Sequence, residues 1–171
     1  MEQVDIRFQY TEREYVKAVQ KYLLASGTVR KTDVVLAIIG VPCALLVFFL
    51  SSLKWLGILL LVGTVWFSCV IGYLYWYGQV MKFRKTPKYK EEYHMVFSEE
   101  RILFETATLH SELKWDTYTA LWESKECYYL VQTKQIYSIL PKRAFAGDAE
   151  KTAFERMAEH GTGCPKRKIE A

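Results

Sequence analysis

VVLAIIGVPCALLVFFLSSL, residues 34–53, contains no charged side chain. A helix of about 20 residues crosses the roughly 30 Å hydrocarbon core of a bilayer. A helix of that length in a soluble core normally keeps a polar face. A second uncharged run, Trp55–Gln79, follows after the single Lys54. Together the two runs predict a transmembrane hairpin over 33–79, with spans at about 34–53 and 56–77. The alternative is a helical hairpin buried in a soluble core. A secretory signal would start closer to the first residue and have a shorter apolar stretch.

Outward from this block, charge sets the orientation. Arg7, Arg13, Lys17, Lys21, Arg30 and Lys31 precede the first run, only Lys54 separates the runs, and sixteen Lys and Arg follow. Positive charge beside spans stays cytoplasmic, so both termini are expected inside, with a tight turn near Ser51 to Trp55 outside. Tyr73, Tyr75, Trp76 and Tyr77 fit an aromatic belt at the inner interface, and Trp55 fits the outer one. The net charge of the 171-residue chain is only +4. The basic segment KFRKTPKYK, within a linker over 80–91, places Lys82, Arg84, Lys85 and Lys88 near the membrane boundary. They are candidate contacts for anionic lipid or a partner, because a basic residue near an anionic leaflet contributes on the order of 1 kcal/mol. The plainer reading is that they only set topology. The basic residues follow the membrane boundary and form no known nucleic-acid module, so no nucleic acid is expected.

Residues 1–32 read as a strand and an amphipathic helix. In VDIRFQY, Val4, Ile6, Phe8 and Tyr10 alternate with polar residues, as in a half-buried strand. Thr11 and Glu14 form a capping-box pattern for the following helix. That helix, 11–26, can lie on the membrane or on the cytoplasmic domain. Within the hairpin, Pro42 sits at mid-depth. Gly40 and Ala44 in one helix, and Ser68 and Gly72 in the other, are small residues that permit close packing.

Past the linker the period changes to two. Strands are predicted near 92–97, 101–106, 111–115, 118–124, 127–133 and 136–140. A helix is predicted from about Asp148 to His160, stopped by Gly161 and Gly163. Strands this close together imply an antiparallel meander. With the N-terminal strand they make seven strands and a closing helix over 92–161, followed by a mobile tail over 162–171. The fold expected is α+β: a pleckstrin-homology-like (PH-like) barrel with the hairpin inserted after its first strand. A smaller sheet without Val4–Tyr10 is the alternative. Of Tyr128 and Tyr129, one ring should face the barrel and the other outward.

The strand followed by TEREY, the two-span hairpin, VFSEERILFET, the tryptophan strand, KECYYLV and ILPKRAF together resemble the bacterial YcxB-like protein family. The most telling pieces are Tyr128-Tyr129-Leu130 and Pro141-Lys142-Arg143-Ala144-Phe145. The resemblance implies a bacterial inner-membrane protein with a C-terminal β domain. It supplies no catalytic residue.

Chemistry is sparse. His94, His110 and His160 form no HExxH motif, and Cys43, Cys69, Cys127 and Cys164 form no CxxC. No metal or cofactor is expected. No nucleophile elbow, dinucleotide fingerprint or P-loop occurs. The chain is therefore expected to be no enzyme but a membrane-tethered cytoplasmic binding module. It would recognise a protein segment or anionic lipid headgroups, with Lys142 and Arg143 as further candidate contacts. The alternative is an accessory subunit of a transporter or membrane enzyme, or a homo-oligomer, assembled through Gly40, Pro42, Ala44, Ser68 and Gly72.

Overall fold

The alternation in VDIRF becomes strand β1 (Val4–Phe8), whose Val4, Ile6 and Phe8 are buried while Asp5 and Arg7 face out. The computed structural model describes residues 3–50, 52 and 54–169. Met1, Glu2, Ser51 and Leu53 (the last two read as part of the outer turn) and the terminal Glu170 and Ala171 lie outside them. The chain divides into two units: Met1–Ala18 with Thr86–Ala171, and Val19–Lys85. Helix α1 (Glu12–Ala25) contributes its first half to one unit and its second half to the other.

The helical unit holds α2 (Lys31–Leu50) and α3 (Lys54–Gly72). A π-helical turn, Tyr73–Tyr77, joins α3 to α4 (Gly78–Lys85), so the stretch read as the start of a basic linker continues the helix. A 3-10 turn, Pro87–Lys90, follows. Two helices, Lys31–Leu50 and Lys54–Lys85, are long and apolar enough to cross a membrane, and only 6% of each apolar stretch is buried. The single cation between them has a defined job. Lys54 Nζ donates to the carbonyls of Phe48 and Phe49 at 3.0 and 3.2 Å, where the end of α2 leaves carbonyls without helical partners. The π turn is likewise satisfied: Gln20 Nε2 donates to the Tyr75 carbonyl at 3.3 Å.

The other unit contains two sheets. In the first, β1, β2 (Tyr93–Phe97), β3 (Ile102–Glu105) and β4 (His110–Leu113) lie in that order, all antiparallel. Phe8 pairs with Tyr93 and Val4 with Phe97. The N-terminal strand therefore joins the C-terminal sheet, and the apolar helices are inserted between two paired strands. In the second sheet the order is β7 (Tyr137–Pro141), β6 (Cys127–Val131), β5 (Ala120–Glu123) and β8 (Arg167–Lys168). Strands β5, β6 and β7 are antiparallel, whereas β8 runs parallel to β5. The tail read as mobile thus supplies a strand.

The closed barrel expected from the strand count is not formed. Strand β4 stops before a 3-10 turn, Trp115–Thr117, in which the Trp115 side chain is buried, so the chain leaves the first sheet before it enters the second. At the other end, Pro141 closes β7 and has no N–H with which to extend a ladder. Helix α5 (Asp148–Thr162) contributes Ala153, Phe154, Met157 and Ala158 to the core beside both sheets. Phe154 meets Phe97 at 4.8 Å and Tyr128 and Phe145 at 5.3 Å between ring centroids. Full burial of such a ring stabilises by about 1.5–3 kcal/mol.

Two expectations change in this core. Gly161 does not stop α5 but lies inside it, and a Cβ there would fall 2.3 Å from Trp115 Cγ. The stop is Gly163, whose φ of 65° is the left-handed conformation favoured at a helix C-terminus. Nor does either Tyr128 or Tyr129 face outward, because every residue of β6 is buried. Tyr128 turns to the core, while Tyr129 lies under α1 and donates its hydroxyl to the Ala18 carbonyl at 3.0 Å. The first half of α1 therefore lies on the sheet.

Candidate functional site

The segment after β7 decides what the most basic motif of this unit does. Lys142–Ala144 forms one 3-10 turn, begun by the Lys142 amide donating to the Glu126 carbonyl at 2.9 Å. Phe145 then returns to the core, 5.7 Å from Tyr128. Both cations of the turn are engaged by carboxylates of this chain.

Arg143 makes a fork to Glu14, with Nε and Nη2 each donating to a carboxylate oxygen at 2.8 Å. Nη2 also donates to the Gln9 carbonyl at 2.7 Å. These bonds tie the corner after β7 to the start of α1. The Arg143 hydrogen bond holds the Glu14 carboxyl below its ordinary range, against the opposing effect of burial. The same bond raises Arg143. Such planar, charge-assisted pairs are among the stronger protein hydrogen bonds.

Lys142 enters a different cluster. Its Nζ lies 2.5 Å from Glu123 Oε1 and 4.7 Å above the Tyr128 ring. Lys166 Nζ lies 3.3 Å from Glu123 Oε2, without the alignment of a hydrogen bond, and 2.6 Å from Glu155 Oε2. Glu155 Oε1 accepts from the Tyr128 hydroxyl at 2.6 Å. The four charged side chains are 16–23% exposed, well below an ordinary surface pair. Burial disfavours the ionised Glu123, but Lys142 and Lys166 outweigh it, and its pKa is lowered. Burial likewise disfavours charged Lys166, yet Glu155 and Glu123 prevail and raise it. Burial, then the bond to Glu155, pushes the Tyr128 phenol up.

Beside the Arg143–Glu14 fork is an open groove of 730 Å³, lined by Gln9, Thr11, Arg13, Glu14, Lys17, Glu126, Lys142 and Arg143. Arg13 and Lys17 are one helical turn apart on α1 and exposed, and neither has an ion-pair partner among the described residues. Residues at this spacing lie on one helix face. They were legible in the sequence as the polar face of an amphipathic helix. Their approach to the segment after β7, some 125 residues later, was not.

The remaining expected contacts are scattered. Lys82, Arg84 and Lys85 are exposed in the last turn of α4, in the helical unit. Lys88 belongs to the other unit and lies 5.7 Å above the Phe104 ring. In the helical unit, Ala44 is buried, and a Cβ on Gly40 would stand 3.2 Å from the Thr64 methyl. Ser68 Oγ donates to the Ala37 carbonyl at 2.7 Å. These three residues pack α2 on α3, whereas Gly72 has nothing within 4 Å of a built Cβ, and Pro42 lies within α2. The closest approach is at Gly57, not singled out in the sequence, where a Cβ would meet Phe48 Cα at 2.6 Å.

His94 stands between Asp5 and Glu105, at 2.9 and 3.1 Å, and His110 meets the other oxygen of Glu105 at 2.8 Å. This row crosses four strands. Among the described residues no group of three or more His, Cys, Asp or Glu is arranged to hold a metal.

The chain is an α+β protein in which two apolar helices interrupt a unit of mainly antiparallel sheets. Residues 97–158, from the end of β2 into α5, match the family model described as YcxB-like protein. The matched stretch contains Tyr128-Tyr129-Leu130 and Pro141–Phe145, two of the motifs that carried the resemblance. No curated protein and no solved structure matches the chain significantly.

Proposed function

We propose that this is a membrane-tethered binding module of the bacterial inner membrane. In this reading the two apolar helices span the bilayer, and the α+β unit, PH-like in its seven strands and closing helix, sits on the cytoplasmic side. Its ligand is the anionic headgroup of a phospholipid. The observation that carries the proposal is the groove whose Arg13 and Lys17 are exposed without carboxylate partners. Lys142 and Arg143 shape the wall of this groove but are neutralised by Glu123 and Glu14. Lys82 and Lys85, at the end of the second apolar helix, add sequence-independent attraction to an anionic leaflet.

Assembly with another protein through the small residues of the spans has less support. Gly40, Ala44 and Ser68 are occupied in packing α2 against α3.

The test is a titration of the full chain in neutral detergent with short-chain phosphatidylglycerol, short-chain phosphatidylcholine and glycerol 3-phosphate. The anionic lipid should bind in preference to the other two. Arg13→Gln with Lys17→Gln should weaken that binding about 10–30-fold, from roughly 1 kcal/mol for each cation. Equal binding of phosphatidylcholine, equal binding of glycerol 3-phosphate, or indifference to the double substitution would each reject the reading.

A further inference from the structure

The most fully built contact of the α+β unit that its core does not require is made by the C-terminal segment. Residues 166–169 lie along the free side of β5, opposite the side paired with β6. Arg167 is in register with Trp122 and Lys168 with Glu123, and the Ile169 amide donates to the Glu123 carbonyl at 2.7 Å.

Each of three side chains has a separate receptor. Lys166 enters between Glu123 and Glu155, and its amide donates to Glu159 Oε1 at 3.1 Å. The Arg167 guanidinium stands 5.1 Å over the Trp122 ring. Ile169 is 8% exposed. An acidic pair, an aromatic platform and an apolar recess beside an open strand edge are the elements of a peptide-binding groove.

The segment is also weakly bound to the fold by its backbone. Only two residues form the strand, the pairing is parallel, and Arg167 and Lys168 are exposed. Parallel pairing is slightly less stable per residue than antiparallel. When the segment leaves, Glu123 keeps Lys142 and Glu155 keeps the Tyr128 hydroxyl. Both then lose the Lys166 ammonium from a site little exposed to water. That loss makes the vacated edge selective for a new cation, since a half-buried carboxylate is costly without its partner.

We infer that the β5 edge is a peptide-docking surface whose resident ligand is the chain's own C-terminal segment. It accepts, as an added parallel strand, a segment of another polypeptide with two successive cations and an apolar residue two positions after the second. This surface is distinct from the α1 groove and does not depend on lipid recognition there.

The experiment is fluorescence anisotropy with a labelled peptide PKRKIEA, the sequence of residues 165–171, against the full chain in detergent. The intact chain holds a competing copy at high effective concentration. A chain carrying Lys166→Glu and Ile169→Asp has lost that competitor and should bind the peptide at least tenfold more tightly. The peptide PERKDEA should not bind it. A second chain lacking residues 165–171 should behave like the first variant. Equal affinity of intact and released chains would overturn the inference. So would failure of both released chains to bind while melting cooperatively. Loss of cooperative melting in both would also overturn it, by making the segment an obligatory part of the fold.

Discussion

Replacing Gly161 by alanine places one carbon where Trp115 already is. The new Cβ would stand 2.3, 2.5 and 2.8 Å from Cγ, Cβ and Cδ2 of that residue. Carbon atoms pack at about 3.5–4.0 Å, so either the helix or the indole must move by about 1 Å. The indole has little room. Trp115 is 3% exposed, its Nε1 donates to the Ser98 carbonyl at 2.7 Å, and Phe97 and Phe154 flank it at 6.0 and 6.4 Å. Overpacking of this kind costs about 1–3 kcal/mol, and disturbing the indole bond adds about 0.5–1.5 kcal/mol. Alanine returns about 1 kcal/mol through its better helix propensity. The net expectation is a loss of about 1–3 kcal/mol, or a melting temperature lower by roughly 5–15 °C for a unit of this size. Thermal unfolding of the full chain in detergent measures it. A double-mutant cycle with Trp115→Leu should show coupling of at least about 1 kcal/mol, because the smaller side chain makes room for the new methyl. A Gly161→Ala chain that melts at or above the parent temperature would refute the reasoning.

Three further outcomes follow from individual contacts. Tyr129→Phe removes the hydroxyl donated to the Ala18 carbonyl; it should cost about 1 kcal/mol in denaturant unfolding and increase hydrogen exchange in the first half of α1. Gly57→Ala should push α2 from α3, since the added carbon meets the Phe48 backbone; crosslinking between cysteines placed on the two helices should fall relative to the parent glycine. Glu14→Gln should remove a pH-dependent part of the stability. Because Arg143 lowers the folded-state pKa of Glu14, its contribution is fully present above the ordinary glutamate value of about 4.3 and lost as pH falls through the lowered value. The stability gap between parent and variant, followed by melting, should therefore narrow below about pH 4.

The elements that periodicity can encode were legible in the sequence. The apolar runs, the alternating β1 and the amphipathic α5 all formed close to their expected positions, because burial on one face or on every face leaves a pattern. Closure was not legible. It depended on a turn at Trp115 and a proline at the end of β7, neither of which alters the period of the flanking strands. The motif KRAF also hid its roles. Lys142 and Arg143 look like open cations until Glu123 and Glu14 are brought beside them, and both pairings span long stretches of sequence. The tail PKRKI carries no strand signal of its own, because its order comes from three receptors elsewhere in the fold.

The account rests most heavily on the α+β unit lying at the cytoplasmic face, held by two spans. Labelling of intact bacteria with a membrane-impermeant maleimide tests this directly. The parent chain should remain unlabelled in intact cells. Ser52→Cys, between the two apolar helices, should label in intact cells, whereas Asp148→Cys, at the exposed start of α5, should label only after the cells are opened. An Asp148→Cys chain that labels in intact cells, or a Ser52→Cys chain that labels only after lysis, would contradict the account.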